Sequence, residues 1–228
     1  MYKNNIKLPI LYSFRRCPFA IRARAALYYS GKKFIIREVQ LSNKPKEMLD
    51  ASSKGTVPVL VLGNQIIDES IEIILWCLKN NDELNLLKPL RKDSRMTYEY
   101  IKKIDTEFKF NLDRYKYSYR FKDSASFLGK FKHRAIALNY LIEINNKLIK
   151  ESSLYLFENR LSLLDLCIFP LVRQYRIADI DWFDSNSDIT KVKLWLDNIL
   201  NLRFFKRIME KNKPWKNTDT PLFFCKTL

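Results

Sequence analysis

Cys17 stands in the segment Arg15-Arg16-Cys17-Pro18-Phe19. The residues before it, Ile6 to Phe14, read as a buried strand, with Pro9 tolerable only near its start. Those after it are rich in alanine and arginine and run to Ser30-Gly31, a helix stop. Pro18 suits the first position of that helix and Cys17 the N-cap. A thiol at a helix mouth meets unpaired backbone N–H groups and the positive end of the helix dipole, which favour the thiolate, and Arg15 and Arg16 add to this. The expectation is a depressed pKa and a nucleophilic sulfur. Three residues on stands Ala20, so an internal Cys-x-x-Cys disulfide is excluded, while a mixed disulfide with an outside thiol stays open. The competing reading is a small buried cysteine at a strand end, as most free cysteines are. The segment alone does not decide between them.

Two other segments could hold a ligand. In Thr56-Val57-Pro58-Val59 a proline opens an apolar strand. A cis bond there would leave the Val57 backbone free to pair with a ligand peptide, and a trans proline at a loop end is the plainer alternative. In Asp68-Glu69-Ser70 a serine N-cap offers a carboxylate site and an adjacent acid could hold an ammonium group. Together they suit the zwitterionic end of an amino acid, and a simple helix cap is the alternative. The single histidine, His133, lies in a basic, polar stretch and reads as a solvated surface residue. Neither a metal-binding cluster nor a phosphate loop is visible in the sequence.

The elements that must position these residues follow from periodicity. Lys33–Val39 reads as a second strand, Lys44–Ala51 as a short helix, Val57–Leu62 and Gln65–Ile67 as a hairpin around Gly63-Asn64, and Ser70 as the start of an apolar helix through Leu78. This β-α-β-α-β-β-α order within residues 1–80 is an α/β domain. Residues 81–91, polar and containing Pro89, read as a linker, and 92–228 as an all-helical domain. The stretch Phe108–Phe121 fits strand alternation or a helix, and the helical context decides for helix. Ser162-Leu-Leu-Asp165 is a capping box in its Asp form, starting a helix that runs to about Ala178. Lys191–Lys211 reads as one or two closing helices.

Bulk composition narrows the class. The 228 residues are 47% hydrophobic and 29% charged, an ordinary globular balance, and four glycines disfavour turn-dense β architectures. The net charge of +16 is spread along the chain, +7 in the first 80 residues and +9 in the rest. With no basic block, this argues against a nucleic-acid role. The four cysteines (Cys17, Cys77, Cys167 and Cys225) are too sparse for a disulfide framework, and no apolar run reaches transmembrane length. The expected setting is cytoplasmic, with no membrane contact.

In this order and spacing the segments Arg16-Cys-Pro-Phe-Ala20 with Arg22 and Arg24, Asn43-Lys44-Pro45, Lys54-Gly-Thr-Val-Pro-Val59 and Asp68-Glu-Ser70 are a specific pattern. The chain resembles the cytosolic glutathione transferases, and within them the cysteine-type branches, the omega-like transferases and two-domain glutaredoxins. Ser162-Leu-Leu-Asp165 resembles the capping box of their helical domain. The resemblance implies a thioredoxin-like α/β domain followed by an all-α domain, with glutathione as co-substrate. It implies that Cys17 forms the mixed disulfide and that Val57, before a cis Pro58, pairs with the cysteinyl part of the tripeptide. It also implies that Glu69 and Ser70 hold the γ-glutamyl group, that Lys44 neutralises the glycyl carboxylate, and that Phe19 walls the sulfur site. A homodimer is implied as well, with the aromatic 98–122 region lining the second-substrate pocket.

Two-domain glutaredoxins carry a second cysteine where this chain has Ala20. That favours monothiol chemistry on glutathione mixed disulfides, small or protein-bound. Conjugation of electrophiles is the enzymatic alternative, using glutathione's own thiolate. The non-enzymatic alternative is a regulatory binding protein similar to the stringent starvation proteins, which usually lack the cysteine.

Overall fold

The computed structural model describes residues 8–224, and the chain divides into two compact units, residues up to Glu83 together with those from Arg203 onward, and residues 84–202. The C-terminal segment, expected inside a helical domain 92–228, therefore belongs with the first unit.

That first unit is built on β1 (Ile10–Ser13), α1 (Pro18–Tyr29), β2 (Phe34–Glu38), α2 (Lys46–Ala51), β3 (Val59–Leu62), β4 (Gln65–Ile67) and α3 (Ser70–Leu78). β1 runs parallel to β2 and antiparallel to β3, which pairs antiparallel with β4. The parallel pair needs a crossover, and α1 supplies it. Ala20, Ala23, Ala25 and Ala26 of α1 are all fully buried, and their small side chains let the helix lie close against its neighbour α3. The expected elements are present, β4 and α3 with the bounds read from sequence and β1, β2, α2 and β3 shorter at one end or both, although Ile6 and Lys7, at the start of the expected first strand, lie outside the described residues. One strand was not expected. Phe223–Phe224, β5 (numbered last in chain order), pairs antiparallel with Phe34 and Ile35, giving the order β4-β3-β1-β2-β5. It covers the backbone edge that β2 would otherwise expose.

The second unit is helical. It contains α4 (Lys88–Lys92), α5 (Ser94–Lys103), α6 (Lys109–Lys116), α7 (Lys130–Lys150), α8 (Leu163–Ala178), α9 (Ile180–Ser185) and α10 (Thr190–Asn201). A π turn, Ile104–Phe108, joins α5 to α6 without a break. The stretch that fitted either period is thus helical to Lys116, where Tyr117 ends it. Ser118–Arg120 is a 3-10 turn, so the helix expected through Phe121 stops short. The expected linker 81–91 is also partly helical: Pro89 sits in the first turn of α4, where it costs no hydrogen bond, and is buried. Of the expected closing helices, α10 lies in this unit and α11 (Arg203–Ile208) in the first.

The capping box forms as read. Asp165 Oδ2 accepts from the Ser162 N–H and hydroxyl at 2.8 and 2.7 Å, and Oδ1 accepts from Leu156 N–H and Trp195 Nε1, both at 2.8 Å. The carboxyl is fully buried, which pushes its pKa up to about 6 against the pull of those donors. One residue therefore starts α8 and anchors both a loop and α10.

His133 departs most from expectation. It is fully buried, stacked on Phe127 at 5.5 Å. Leu128 N–H donates to Nε2 at 3.0 Å, so Nδ1 carries the proton and donates to Asn111 Oδ1 at 2.8 Å. Asn111 in turn donates to the Glu107 carbonyl at 2.9 Å. The polar neighbourhood that suggested a solvated residue instead supplies partners that let the ring go inside. Gly129, with φ +97°, makes the turn into α7 that aims the ring inward.

Burial, and then the nearby Arg114, hold the His133 pKa below its ordinary value, with the Ser126 backbone acting the other way. Below about pH 6.5 the unfolded chain takes up a proton that the fold resists, so the ring's contribution is complete above that pH and shrinks below it. His133→Leu is expected to cost about 2 kcal/mol near neutral pH. In denaturant titrations the gap between wild type and variant should be clearly smaller at about pH 5.5 than at about pH 7.5. Equal gaps would refute this assignment.

Candidate active site

Cys17 lies one residue after the turn that closes β1, where its N–H donates to the Phe14 carbonyl at 3.0 Å. Its φ of −71° and ψ of 124° place it outside the helix as N-cap, with Pro18 at the first helical position as expected. The side chain is half-buried. The thiol donates to the carbonyl oxygen of Val57 at 3.5 Å. The Val57–Pro58 peptide is cis, and both residues precede Val59, which pairs with Tyr12 as β3 enters the sheet.

The electrostatics correct the expectation from sequence. Burial pushes the Cys17 thiol above its ordinary pKa. The N–H groups of Ala20 and Phe19 at the helix mouth pull the other way, as do the charges of Arg24 and Arg22, but they do not overcome it. The expected lowering is present as forces and absent as a result, because the same packing that sets the sulfur at the helix end removes its water. The arginines involved also differ. Arg16 is exposed and lies over the Phe14 ring at 5.4 Å, whereas Arg22 and Arg24 are buried in α1. In the ligand-free protein the thiol is therefore protonated at neutral pH.

The loop of residues 52–58 gathers the rest. At its C-terminal end Val57 meets Cys17. In its middle, Gly55 has φ +60°, and a Cβ there would lie 3.6 Å from Lys44 Nζ, so this lysine reaches over the loop. At its start Ser52 donates to Asp68 Oδ2 at 2.6 Å, and Lys54 Nζ bridges Asp68 Oδ1 at 2.9 Å and Glu69 Oε1 at 2.5 Å. Ser52 and Lys54 together hold the Asp68 carboxyl below its ordinary pKa. One short loop thus touches Cys17, Lys44 and the Asp68-Glu69-Ser70 segment.

Ser70 is not the N-cap but the first residue of α3; Glu69 is the cap, and its side chain makes no capping hydrogen bond. The N–H groups ahead of Ile73 have no acceptor within the helix, an arrangement that favours an anion. Ser70 is buried, and the Glu69 carboxylate is exposed and tied to Lys54. Phe19 is half-buried, with the Arg22 guanidinium 4.9 Å over its ring. Sequence reasoning missed Ser52, which no spacing rule marks, and gave Lys54 no role beyond its place in the Lys54–Val59 segment. It also missed Glu38, whose carboxylate accepts the Arg15 N–H at 2.7 Å, and Trp215, whose N–H donates to the Glu38 carbonyl at 2.8 Å, because these contacts join distant segments.

Residues 11–85 match the family model described as glutathione S-transferase, N-terminal domain. No curated protein matches the sequence. A glutathione transferase from Pseudomonas putida, solved with one glutathione disulfide bound per subunit, matches with a TM-score of 0.72 at 17% identity, over 92% of this chain and 93% of that one. A glutathione transferase family member from Pseudomonas fluorescens, solved with two glutathione bound, gives 0.74 at 15% identity over 91% and 94%. Glutathione transferase Omega 3C from Trametes versicolor gives 0.72 at 17% identity over 91% of each chain. These likenesses establish the fold: a thioredoxin-like mixed sheet followed by a helical region, the architecture of glutathione transferases, as expected from the sequence.

Alkylation of Cys17 in the free protein should be slow at neutral pH and rise steeply only above pH 9, the ordinary thiol value here. Rapid modification near pH 6, followed by peptide mass mapping, would show that the helix end outweighs burial after all.

Proposed function

We propose that the chain is a glutathione-dependent thiol transferase in which Cys17 is the nucleophile. The observation that carries this reading is the contact between the Cys17 thiol and the Val57 carbonyl, at the end of a loop that also reaches Lys44 and the mouth of α3. The tripeptide would lie along that loop. Its cysteinyl backbone would pair with Val57, its γ-glutamyl carboxylate would sit on Ser70 and the leading N–H groups of α3, and its ammonium group on Glu69. Its glycyl carboxylate would be met by Lys44, and Phe19 would wall the sulfur.

The raised thiol pKa fits such a cycle. In the free protein the S–H uses the Val57 carbonyl as its acceptor. A ligand N–H that takes this carbonyl leaves the thiol without it, while the N–H groups of Phe19 and Ala20 still favour the thiolate. Ligand binding then promotes ionisation. The Cys17 thiolate attacks the glutathionyl sulfur of a mixed disulfide, the S–S bond breaks, and the released thiolate takes up a proton. The thiolate of a second glutathione then attacks the glutathionyl sulfur on Cys17, giving glutathione disulfide and restoring the Cys17 thiolate. With Ala20 in place of a second cysteine, the resolving thiol has to come from outside. None of the three described cysteines is in a disulfide, as this chemistry in a reducing cytoplasm requires. Among the described residues no helix is long and apolar enough to cross a membrane. The proposal includes a homodimer.

A second reading is favoured by the same burial of Cys17. A thiol protonated at neutral pH could donate a hydrogen bond to glutathione's own thiolate, which would then attack an electrophile while Cys17 stays unmodified. Turnover of a glutathione mixed disulfide and of a chloronitrobenzene, by wild type and Cys17→Ser, separates the two. The thiol transferase reading expects disulfide turnover that falls to background in Cys17→Ser. Retained disulfide activity in that variant contradicts it, and conjugation surviving in both forms supports the second reading.

A further inference from the structure

The turn that carries Cys17 is also held from a side the proposed reaction does not use. Arg24, on α1, is 1% exposed. Its guanidinium donates from Nε to the Ile208 carbonyl at 2.8 Å, at the end of α11. From Nη2 it donates to the Arg15 carbonyl at 2.7 Å, and from Nη1 to the Phe14 carbonyl at 3.4 Å and to the Ser13 hydroxyl. One planar group thus grips three consecutive residues just ahead of Cys17 and, at the same time, the C-terminal segment. Burial lowers its pKa to about 10, so it stays charged at neutral pH.

A second route joins the same two places. The Glu38 carboxylate, at the end of β2, accepts the Arg15 N–H at 2.7 Å, and its backbone carbonyl accepts the Trp215 N–H at 2.8 Å. The Trp215 ring meets Tyr12 edge-on at 6.1 Å, and the Arg37 guanidinium covers it at 3.9 Å. Tyr12 belongs to the buried cluster of Ala20, Val39, Met48, Val57 and Val59, against which both Cys17 and Trp215 pack. Beyond Trp215 the Leu222 carbonyl accepts from Ile36 N–H at 2.9 Å, and β5 completes the attachment to β2.

We propose that the C-terminal segment from Arg203 to Phe224 is a working part of the Cys17 site, with Arg24 and Trp215 as positioning residues that hold the Ser13–Arg16 turn and fix how deeply the thiol is set. The proposal rests on the reading of Cys17 as the reactive group. The charged groups around the turn are Arg22 and Arg24 of α1, Arg15 and the exposed Arg16 of the turn itself, and Glu38 of β2, with Arg37 of β2 over the Trp215 ring. Two features tie the segment to reactivity as well as to stability. Arg24 is both the clamp and one of the charges that favour the thiolate. Trp215 packs on the cluster that takes water from the sulfur, so loosening it lets water in and weakens the largest force opposing ionisation. Lysine at position 24 would keep the charge but could not reproduce the fork that spans carbonyls of two segments.

The test is the pH profile of Cys17 alkylation by iodoacetamide in the full-length protein, followed by peptide mass so that Cys17 is separated from Cys77, Cys167 and Cys225. Trp215→Ala and Arg24→Lys are each compared with wild type, with circular dichroism confirming the fold. Both variants are expected to react about fivefold faster or more at neutral pH, with the midpoint of the profile moved to lower pH. A midpoint unchanged from wild type in the folded variants overturns the proposal, even if both have lost thermal stability. If Arg24→Lys does not fold, Trp215→Ala alone decides. The readout needs no glutathione, so a profile that shifts in a protein inactive on glutathione disulfides would leave this inference standing and remove the proposed reaction.

Discussion

The contact between the Cys17 sulfur and the Val57 carbonyl is the constraint around which the first unit is organised. It requires β1 to end in a tight turn, α1 to begin one residue later, and the 52–58 loop to arrive opposite with Val57 still outside the sheet. Each requirement has its own local cause. Pro18 pre-sets the first helical φ, the Phe14 carbonyl closes the turn, and β3 does not join β1 until Val59. The contact is weak as a hydrogen bond, since sulfur donates poorly. It records an alignment that the backbone elements impose.

Burial and the helix end oppose each other at this sulfur, and their balance is the informative quantity. A helix mouth and two buried arginines would ordinarily yield a thiolate at neutral pH. Here desolvation is the larger effect, and the resting sulfur keeps its proton. A thiol held protonated until a ligand takes its acceptor is shielded from indiscriminate oxidation, which follows thiolate character and exposure. The arginines then serve two ends. Arg22 and Arg24 bias the sulfur toward ionisation, and Arg24 binds the turn to a segment nearly two hundred residues away in sequence.

Much of this was legible in the sequence where the determining interactions are local. The Pro18 helix start, the Gly63-Asn64 hairpin and the Ser162–Asp165 box each depend on residues within four positions of one another, and each appears in the structure. The grouping of Cys17, Val57 and Lys44 around one site came from a resemblance, since nothing in their spacing enforces it, and the approach of Lys44 to Gly55 is visible only in the structure. What was not legible depends on long-range partners. His133 looked solvated because its partner Asn111 arrives from α6 only when α6 and α7 pack together, while the loop turn that folds Phe127 and the Leu128 N–H back onto the ring has no spacing signature. The sign of the Cys17 shift depends on how completely neighbours exclude water, which a motif does not report. Trp215 and β5 have no local signature, and the edge of β2 that they cover exists only in the folded sheet.

The central claim is that Cys17 accepts glutathione covalently, and intact-mass analysis after exposure to glutathione disulfide tests it most directly. The account predicts one glutathione per chain, mapped to Cys17 by peptide digestion and removed by added reduced glutathione with formation of glutathione disulfide. Binding of glutathione with no adduct at Cys17 would contradict it.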